Sequence, residues 1–220
     1  MAVRPLAIFG GTFDPVHIGH LSVAWEASEL LDADVCLMPA GVPPHRSPPT
    51  ASAEQRMAML RAALQGQSRL TLDGRELQRE GPSYTIDTLT ELRAEQGDRP
   101  LTLLLGADAF AGLPSWHRWL EIFDVAHIGV LSRPGIEAAL PDALVQAIDG
   151  RYATVSGELH HLAAGKVIEL AVTPLEISAT HIRELLAAGR DPRYLLPPGL
   201  FDDASLLAPY RSFVRSDLRT

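Results

Sequence analysis

Short, largely apolar runs recur along the chain at Leu6 to Phe9, Val35 to Met38, Leu70 to Leu72, Leu101 to Leu105, His127 to Leu131 and Val167 to Val172. Each is of strand length. Between most of them lie stretches with helical periodicity, such as "HLSVAWEASELL", "SAEQRMAMLRAAL" and "SYTIDTLTELRAEQG". This alternation predicts an α/β fold with helices on both faces of a doubly wound, Rossmann-like parallel sheet, in one domain over residues 1–220. Ligands of such sheets bind beyond the carboxyl ends of the strands, where the strand order reverses. The loops that follow the apolar runs are therefore the places to look for chemistry. A C-terminal helical portion is expected over residues 178–220.

One loop interrupts the alternation. Residues 39–49, "PAGVPPHRSPP", contain five prolines, too many for a helix or a central strand. The stretch is either a stiff surface connection or a lid over the ligand, and its cationic candidates His45 and Arg46 favour a lid over residues 39–50. Residues 135–165 carry only weak periodicity, and the pair His160-His161 within them is expected in solvent.

Composition narrows the picture without changing it. Hydrophobic residues are 46% and charged residues 21% of the chain, as in ordinary folded domains. The net charge of −8 argues against DNA or RNA as a partner, because displacing condensed counterions needs a basic surface. A small anion is still allowed, since backbone N–H groups and a few cations can make a local positive site. The first apolar run is too short for a signal-peptide core or a membrane span, and the lone Cys36 has no partner for an internal disulfide. A cytoplasmic setting is expected.

The segment after the first apolar run reads "GGTFDPVHIGH" from Gly10 to His20. Gly10 and Gly11 are read as following the strand, where they allow close approach to a ligand. Pro15 fixes the entry to a helix expected from about Gly19 to Leu31, whose N-terminus aims N–H groups and a partial positive charge at the crevice. His17 and His20, three residues apart, would share one face and could both donate to phosphate oxygens. A metal site lacks further ligands at suitable spacing, and a plain turn with two surface histidines stays open. Neither Gly-x-x-x-x-Gly-Lys-Ser/Thr nor Gly-x-Gly-x-x-Gly is present, and the only lysine is Lys166. Far along the chain, "ISATHIREL" from Ile177 to Leu185 places Ser178 as a helix cap, with Thr180 and Arg183 in the next turn. Hydroxyls, N–H groups and a guanidinium could converge there on an anion.

These two segments resemble the opening and closing motifs of the nucleotidylyltransferase superfamily. Between them, "PPHR" (Pro43 to Arg46), "GPSYTIDTL" (Gly81 to Leu89), "LLGADAFAGLPSWHRW" (Leu104 to Trp119) and "SRPG" (Ser132 to Gly135) are similar to blocks of the bacterial nicotinate-nucleotide adenylyltransferases. The resemblance spans nearly the whole chain. It implies transfer of AMP from ATP to nicotinate mononucleotide, giving nicotinate adenine dinucleotide and pyrophosphate. It also implies Mg²⁺ carried by the phosphates, with no dedicated metal site in the protein, and no membrane partner; a homo-oligomer stays open.

By the same resemblance His17, His20 and Arg183 are the catalytic candidates. Gly10, Gly11, Thr12, Phe13, Asp108, Ser178, Thr180 and Arg183 would bind ATP, with Asp108 at the nucleoside. The mononucleotide would meet His45, Arg46, Thr85, Trp116 and His117: Trp116 stacking on the pyridine ring, Thr85 and His117 offering backbone N–H groups to the carboxylate. Two positions depart from the family pattern, Ala179 for a serine and Arg46 for a lysine. Pantetheine-phosphate adenylyltransferases share only the end motifs. A class I aminoacyl-tRNA synthetase fragment would need a Lys-Met-Ser-Lys-Ser match that is absent. A non-catalytic nucleotide-binding domain would bind ATP without releasing pyrophosphate.

Overall fold

A computed structural model describes residues 3–41, 48–132 and 139–211. Six parallel strands form one sheet: β1 (Leu6–Gly11), β2 (Asp34–Pro39), β3 (Leu70–Leu72), β4 (Leu101–Gly106), β5 (His127–Ser132) and β6 (Val167–Ala171). The strand order is β3-β2-β1-β4-β5-β6, so the chain winds outward from β1 in one direction and then from β4 in the other. The switch point lies between β1 and β4, which pair from Leu6↔Leu101 to Phe9↔Leu104. This is the doubly wound arrangement that the alternation of strands and helices predicts.

The strands are apolar at successive positions because helices cover both sheet faces. On one face Ala7, Val35, Leu37, Leu104, Leu131 and Leu170 pack with Ala24, Ala27 and Leu31 of α1 (Ile18–Leu31) and with Met59 and Leu60 of α2 (Ala53–Ala63). On the other, Ile8, Leu103, Leu105, Ile128 and Val130 pack on residues of helices that follow the short α3 (Arg75–Gln78). These are Ile86, Leu89 and Leu92 of α4 (Thr85–Gln96), Phe110 of α5 (Ala107–Ala111), Ile122 and Phe123 of α6 (Ile122–Val125), and Leu144 and Ile148 of α7 (Asp142–Ile148). No helix among the described residues is long and apolar enough to cross a membrane.

Two expectations about elements need correction. Gly10 and Gly11 do not follow the first strand; they end it, paired with Met38 and Pro39 of β2. Of the expected helical portion 178–220, the described residues 178–211 hold one α-helix, α8 (Ala179–Ala187), followed by 3-10 turns at Pro198–Phe201 and Ala208–Tyr210. Pro192, Pro197, Pro198 and Pro209 break any longer helix there. His160, although exposed, lies 2.8 Å from the Leu31 carbonyl through Nε2. The lid candidates His45 and Arg46 lie outside the described residues.

The segment after α8 returns across the first two helices and so brings the chain's end to its beginning. Ile18 N–H donates to the Leu195 carbonyl at 3.0 Å. Gly199 sits so close to α2 that a Cβ there would stand 2.6 Å from the Ala62 carbonyl oxygen. Gly199→Ala is expected to lift this segment off α2 and cost roughly 1–3 kcal/mol, by overpacking against backbone that cannot yield. Urea unfolding checks it, and an unchanged midpoint would show that the contact is dispensable.

Candidate active site

A cavity of about 710 Å³ opens at the switch point between β1 and β4. Its walls include Phe9 from β1, His17, Gly19 and His20 from the start of α1, Gly106 to Ala109 from the β4–α5 junction, and Trp116. Leu131, Val172, Pro174, Leu175 and Ile177 close the side toward α8. The structure thus gathers His17, His20, Asp108 and Trp116 around one space, although up to a hundred residues separate them in the chain. Gly10, Gly11, Thr12, Phe13, Ser178, Thr180, Arg183, Thr85 and His117 are not among the described residues lining it.

The opening segment turns sharply before α1. Phe13 takes a left-handed backbone conformation (φ 50°) and is buried. Its ring folds back over Gly11, where a Cβ would come within 2.9 Å of it. That contact, not a left-handed angle at either glycine, favours glycine at position 11, since any Cβ there would push the buried Phe13 ring aside. His17 is not in the helix but is its N-cap, in extended conformation (φ −141°, ψ 170°), while His20 lies in the first turn. The two imidazoles stack, with ring centroids 3.6 Å apart and planes at 22°. The first-turn N–H groups are less free than expected: that of Ile18 goes to Leu195 and that of His20 to the His17 carbonyl.

The hydrogen bonds fix which tautomer His20 adopts. The His17 backbone N–H donates to His20 Nδ1 at 3.2 Å, so neutral His20 carries its proton on Nε2. Nδ1 of His17 is buried without a hydrogen-bond partner in the protein, a group that a ligand or water would satisfy. Burial pushes the His17 pKa down to about 4. Burial and the like charge of its neighbour push His20 down to about 3. Both rings are therefore neutral near pH 7 in the free protein.

The closing motif reaches the opening motif through Arg183. Its Nη1 donates to the Asp14 carbonyl at 2.6 Å and its Nη2 to the Thr180 hydroxyl at 3.2 Å. Ser178 caps α8 as expected, its hydroxyl accepting from the His181 N–H at 3.2 Å. Asp14 had no role in the sequence reading, yet it is a hub. Its buried carboxylate accepts from the N–H groups of Thr50 (2.7 Å) and Ala51 (3.0 Å) and from the Tyr210 hydroxyl (2.7 Å). Arg56, only 2% exposed, was also missed; its Nη1 donates to the carbonyls of Thr12 (2.8 Å) and Ala40 (2.9 Å). Asp14, Arg56 and Tyr210 act over long sequence separations, and periodicity carries no signal for them.

On the far side, α4 begins at Thr85 with no side-chain cap; the Asp87 N–H turns back to the Tyr84 carbonyl, which leaves those of Thr85 and Ile86 as donors. The turn holding His117 is tied to it: the His117 and Tyr84 rings lie 4.3 Å apart, and Arg118 Nη1 is 3.5 Å from Asp87 Oδ1. Thr85 and His117 are therefore neighbours. The stem of the proline-rich loop joins the same region, because a Cβ on Gly41 would stand 2.9 Å from the Glu76 carbonyl oxygen. Glu76 in turn accepts from the Thr88 hydroxyl of α4 at 2.9 Å. Cys36 is a buried thiol pushed up to about 11 by burial, which makes it a poor nucleophile. Among the described residues no cluster of three His, Cys, Asp or Glu side chains could hold a metal.

Residues 8–185 match the model of a family described as cytidylyltransferase-like. A curated relative from Halorhodospira halophila, named as a probable nicotinate-nucleotide adenylyltransferase, is 49% identical over 196 residues, covering 89% of this chain and 90% of its own. Another with that name, from Aeromonas hydrophila, is 48% identical over 201 residues, covering 91% and 94%. Among solved structures, nicotinic acid mononucleotide adenylyltransferase of Plasmodium falciparum, complexed with NaAD, superimposes with a TM-score of 0.68 over 94% of this chain and 96% of its own. At 16% identity that likeness speaks to the fold alone.

The depressed histidines also set a pH dependence. Both bind protons more readily when unfolded, so their contribution to stability is present above about pH 6.5 and is lost as pH falls through the folded values of about 4 and 3. Unfolding free energy should thus decline from pH 6.5 to pH 4, and His20→Asn should flatten that slope. A variant with the wild-type slope would show that His20 is not held neutral.

Proposed function

The chain belongs to the cytidylyltransferase-like family, and from that premise we propose that it is a nicotinate-nucleotide adenylyltransferase, transferring AMP from ATP to nicotinate mononucleotide. The observation that carries this reading is a single cavity that holds the stacked pair His17 and His20 on one wall and the Trp116 indole on another. A reacting phosphate and a flat ring can occupy it together.

In the proposed reaction a phosphate oxygen of the mononucleotide forms a bond to the α-phosphorus of ATP. The bond from that phosphorus to the bridging oxygen breaks, and pyrophosphate leaves with the electron pair. The attacking group is already an anion, so no side chain need act as nucleophile, and the work is positioning and charge stabilisation. Neutral His20 would present its Nε2–H to the α-phosphate oxygens, and His17 would donate beside it. Stacked and shielded from water, two such fixed dipoles stabilise developing charge without reorganising.

The remaining assignments extend this reading. Arg183, held by Asp14 and Thr180, would meet the β and γ phosphates together with the α8 N-terminus at Ser178 and Thr180. Gly10 to Phe13 would line the approach of the phosphates, and Asp108, on the cavity wall, would meet the nucleoside. Free first-turn N–H groups at Thr85 and the backbone at His117 suit a carboxylate, since a helix start favours an anion. His45 and Arg46 keep their proposed contact with the mononucleotide. Mg²⁺ would ride on the phosphates and neutralise their charge. Asp108 is the one carboxylate among the described cavity-lining residues, a donor set that fits a dication held chiefly by phosphate oxygens and water. A cytoplasmic setting suits the buried, unpaired Cys36 thiol.

His20→Ala is expected to slow turnover by roughly 10² to 10³, as loss of one preorganised donor does elsewhere; near-normal turnover would remove His20 from the mechanism. Trp116→Ala should weaken the mononucleotide by roughly 10- to 100-fold, the scale of a stacking contact, with ATP affinity little changed. Equal loss for both substrates would reject the stacking role. Pyrophosphate release from ATP and Mg²⁺ decides the whole reading when nicotinate mononucleotide, its amide analogue or phosphopantetheine is the second substrate. The first should react well and the others poorly; release with phosphopantetheine alone would contradict it.

A further inference from the structure

Arg183 has a carboxylate beside it and makes only a long ion pair with it, with no hydrogen bond between them among the described residues. Its Nη1 stands 3.9 Å from Asp14 Oδ2, yet donates at 2.6 Å to the main-chain carbonyl of the same residue. A guanidinium this close to a carboxylate ordinarily forms a short, often bidentate pair. Such a pair would neutralise the cation proposed to receive the triphosphate.

Three donors restrain the carboxylate. Oδ2 accepts from Thr50 N–H, and Oδ1 accepts from both Ala51 N–H and the Tyr210 hydroxyl. Asp14 is 5% exposed and Tyr210 4%, so no bulk water competes for these positions. Two of the three donors are backbone groups at the entry to α2. The third is one hydroxyl from the last described turn of the chain, whose ring packs in the core with Met59 and Leu207. Tyr210 is not among the described residues lining the cavity.

We infer that Tyr210 is a positioning residue that holds the Asp14 carboxylate away from Arg183 and thereby keeps the guanidinium free for an anionic ligand. The inference rests on the reading of Arg183 as a phosphate ligand. Tyr210→Phe keeps the ring and its packing but leaves Oδ1 with a single donor. The carboxylate then turns to Arg183, which needs less than 1.5 Å of approach to form a short ion pair. The arginine is withdrawn and the triphosphate loses its partner.

The test is calorimetric titration of the full chain with ATP and Mg²⁺, and separately with nicotinate mononucleotide, for wild type, Tyr210→Phe, Arg183→Ala and the double variant. Tyr210→Phe should weaken ATP about tenfold, the scale of one hydrogen bond to a charged group, and leave the mononucleotide within about twofold of wild type. In the Arg183→Ala background the same substitution should have no further effect on ATP. A merely structural role would weaken both ligands, or weaken ATP equally with and without Arg183, and either result overturns the inference; so does unchanged ATP affinity in Tyr210→Phe. If Arg183→Ala itself binds ATP as wild type does, the phosphate assignment fails and takes the inference with it, an outcome distinct from the others.

Discussion

The site depends on one hydrogen bond, from Arg183 to the main-chain carbonyl of Asp14, 2.6 Å long and spanning 169 residues of chain. It joins the opening and closing motifs, and its acceptor is a backbone atom in the turn that also sets His17 and His20. Everything around it fixes that turn from another direction. Arg56 holds the Thr12 carbonyl, Thr50 and Ala51 hold the Asp14 carboxylate, and Leu195 takes the N–H of Ile18. A turn pinned at so many points cannot drift, which is the condition for donors to be useful without reorganisation.

The electrostatics follow from burial more than from charge. The protein as a whole carries a net charge of −8, and its two central histidines are neutral because desolvation and their own proximity disfavour the charged forms. In the proposed reading, attraction for phosphate comes from oriented N–H dipoles and from Arg183, a few groups acting locally inside an acidic protein. Such an arrangement suits a reaction in which one anion displaces another. In the proposed reaction, neutral donors would stabilise the charge that develops at phosphorus without holding the product pyrophosphate as tightly as a cluster of cations would.

Much of this was legible in the chain. The apolar runs locate each described strand to within two residues, because strands covered on both faces are mostly apolar. His17, His20, Asp108 and Trp116 meet around one cavity, whereas Gly10, Gly11 and Arg183 are not among the described residues lining it. What could not be read is what holds those residues in place. Asp14 looks like a turn residue before proline, Arg56 like a polar position on an amphipathic helix, and Tyr210 like one more residue of a helical C-terminal portion. Each acquires its role from partners 36 or more residues away, except for the Arg56 contact to Ala40 at 16. The extension of β1 through both glycines was missed for the opposite reason. Gly10 and Gly11 have poor strand propensity, and only pairing with Met38 and Pro39 keeps them in the sheet.

The central claim is direct transfer: two substrates held in line by fixed donors, with no covalent intermediate on the protein. The stereochemical course at phosphorus tests this most directly, using ATP made chiral at the α-phosphorus with sulfur and the nicotinate mononucleotide as acceptor. A single displacement predicts inversion of configuration in the dinucleotide product. Retention would require two displacements and a nucleotidylated residue, and would contradict the account.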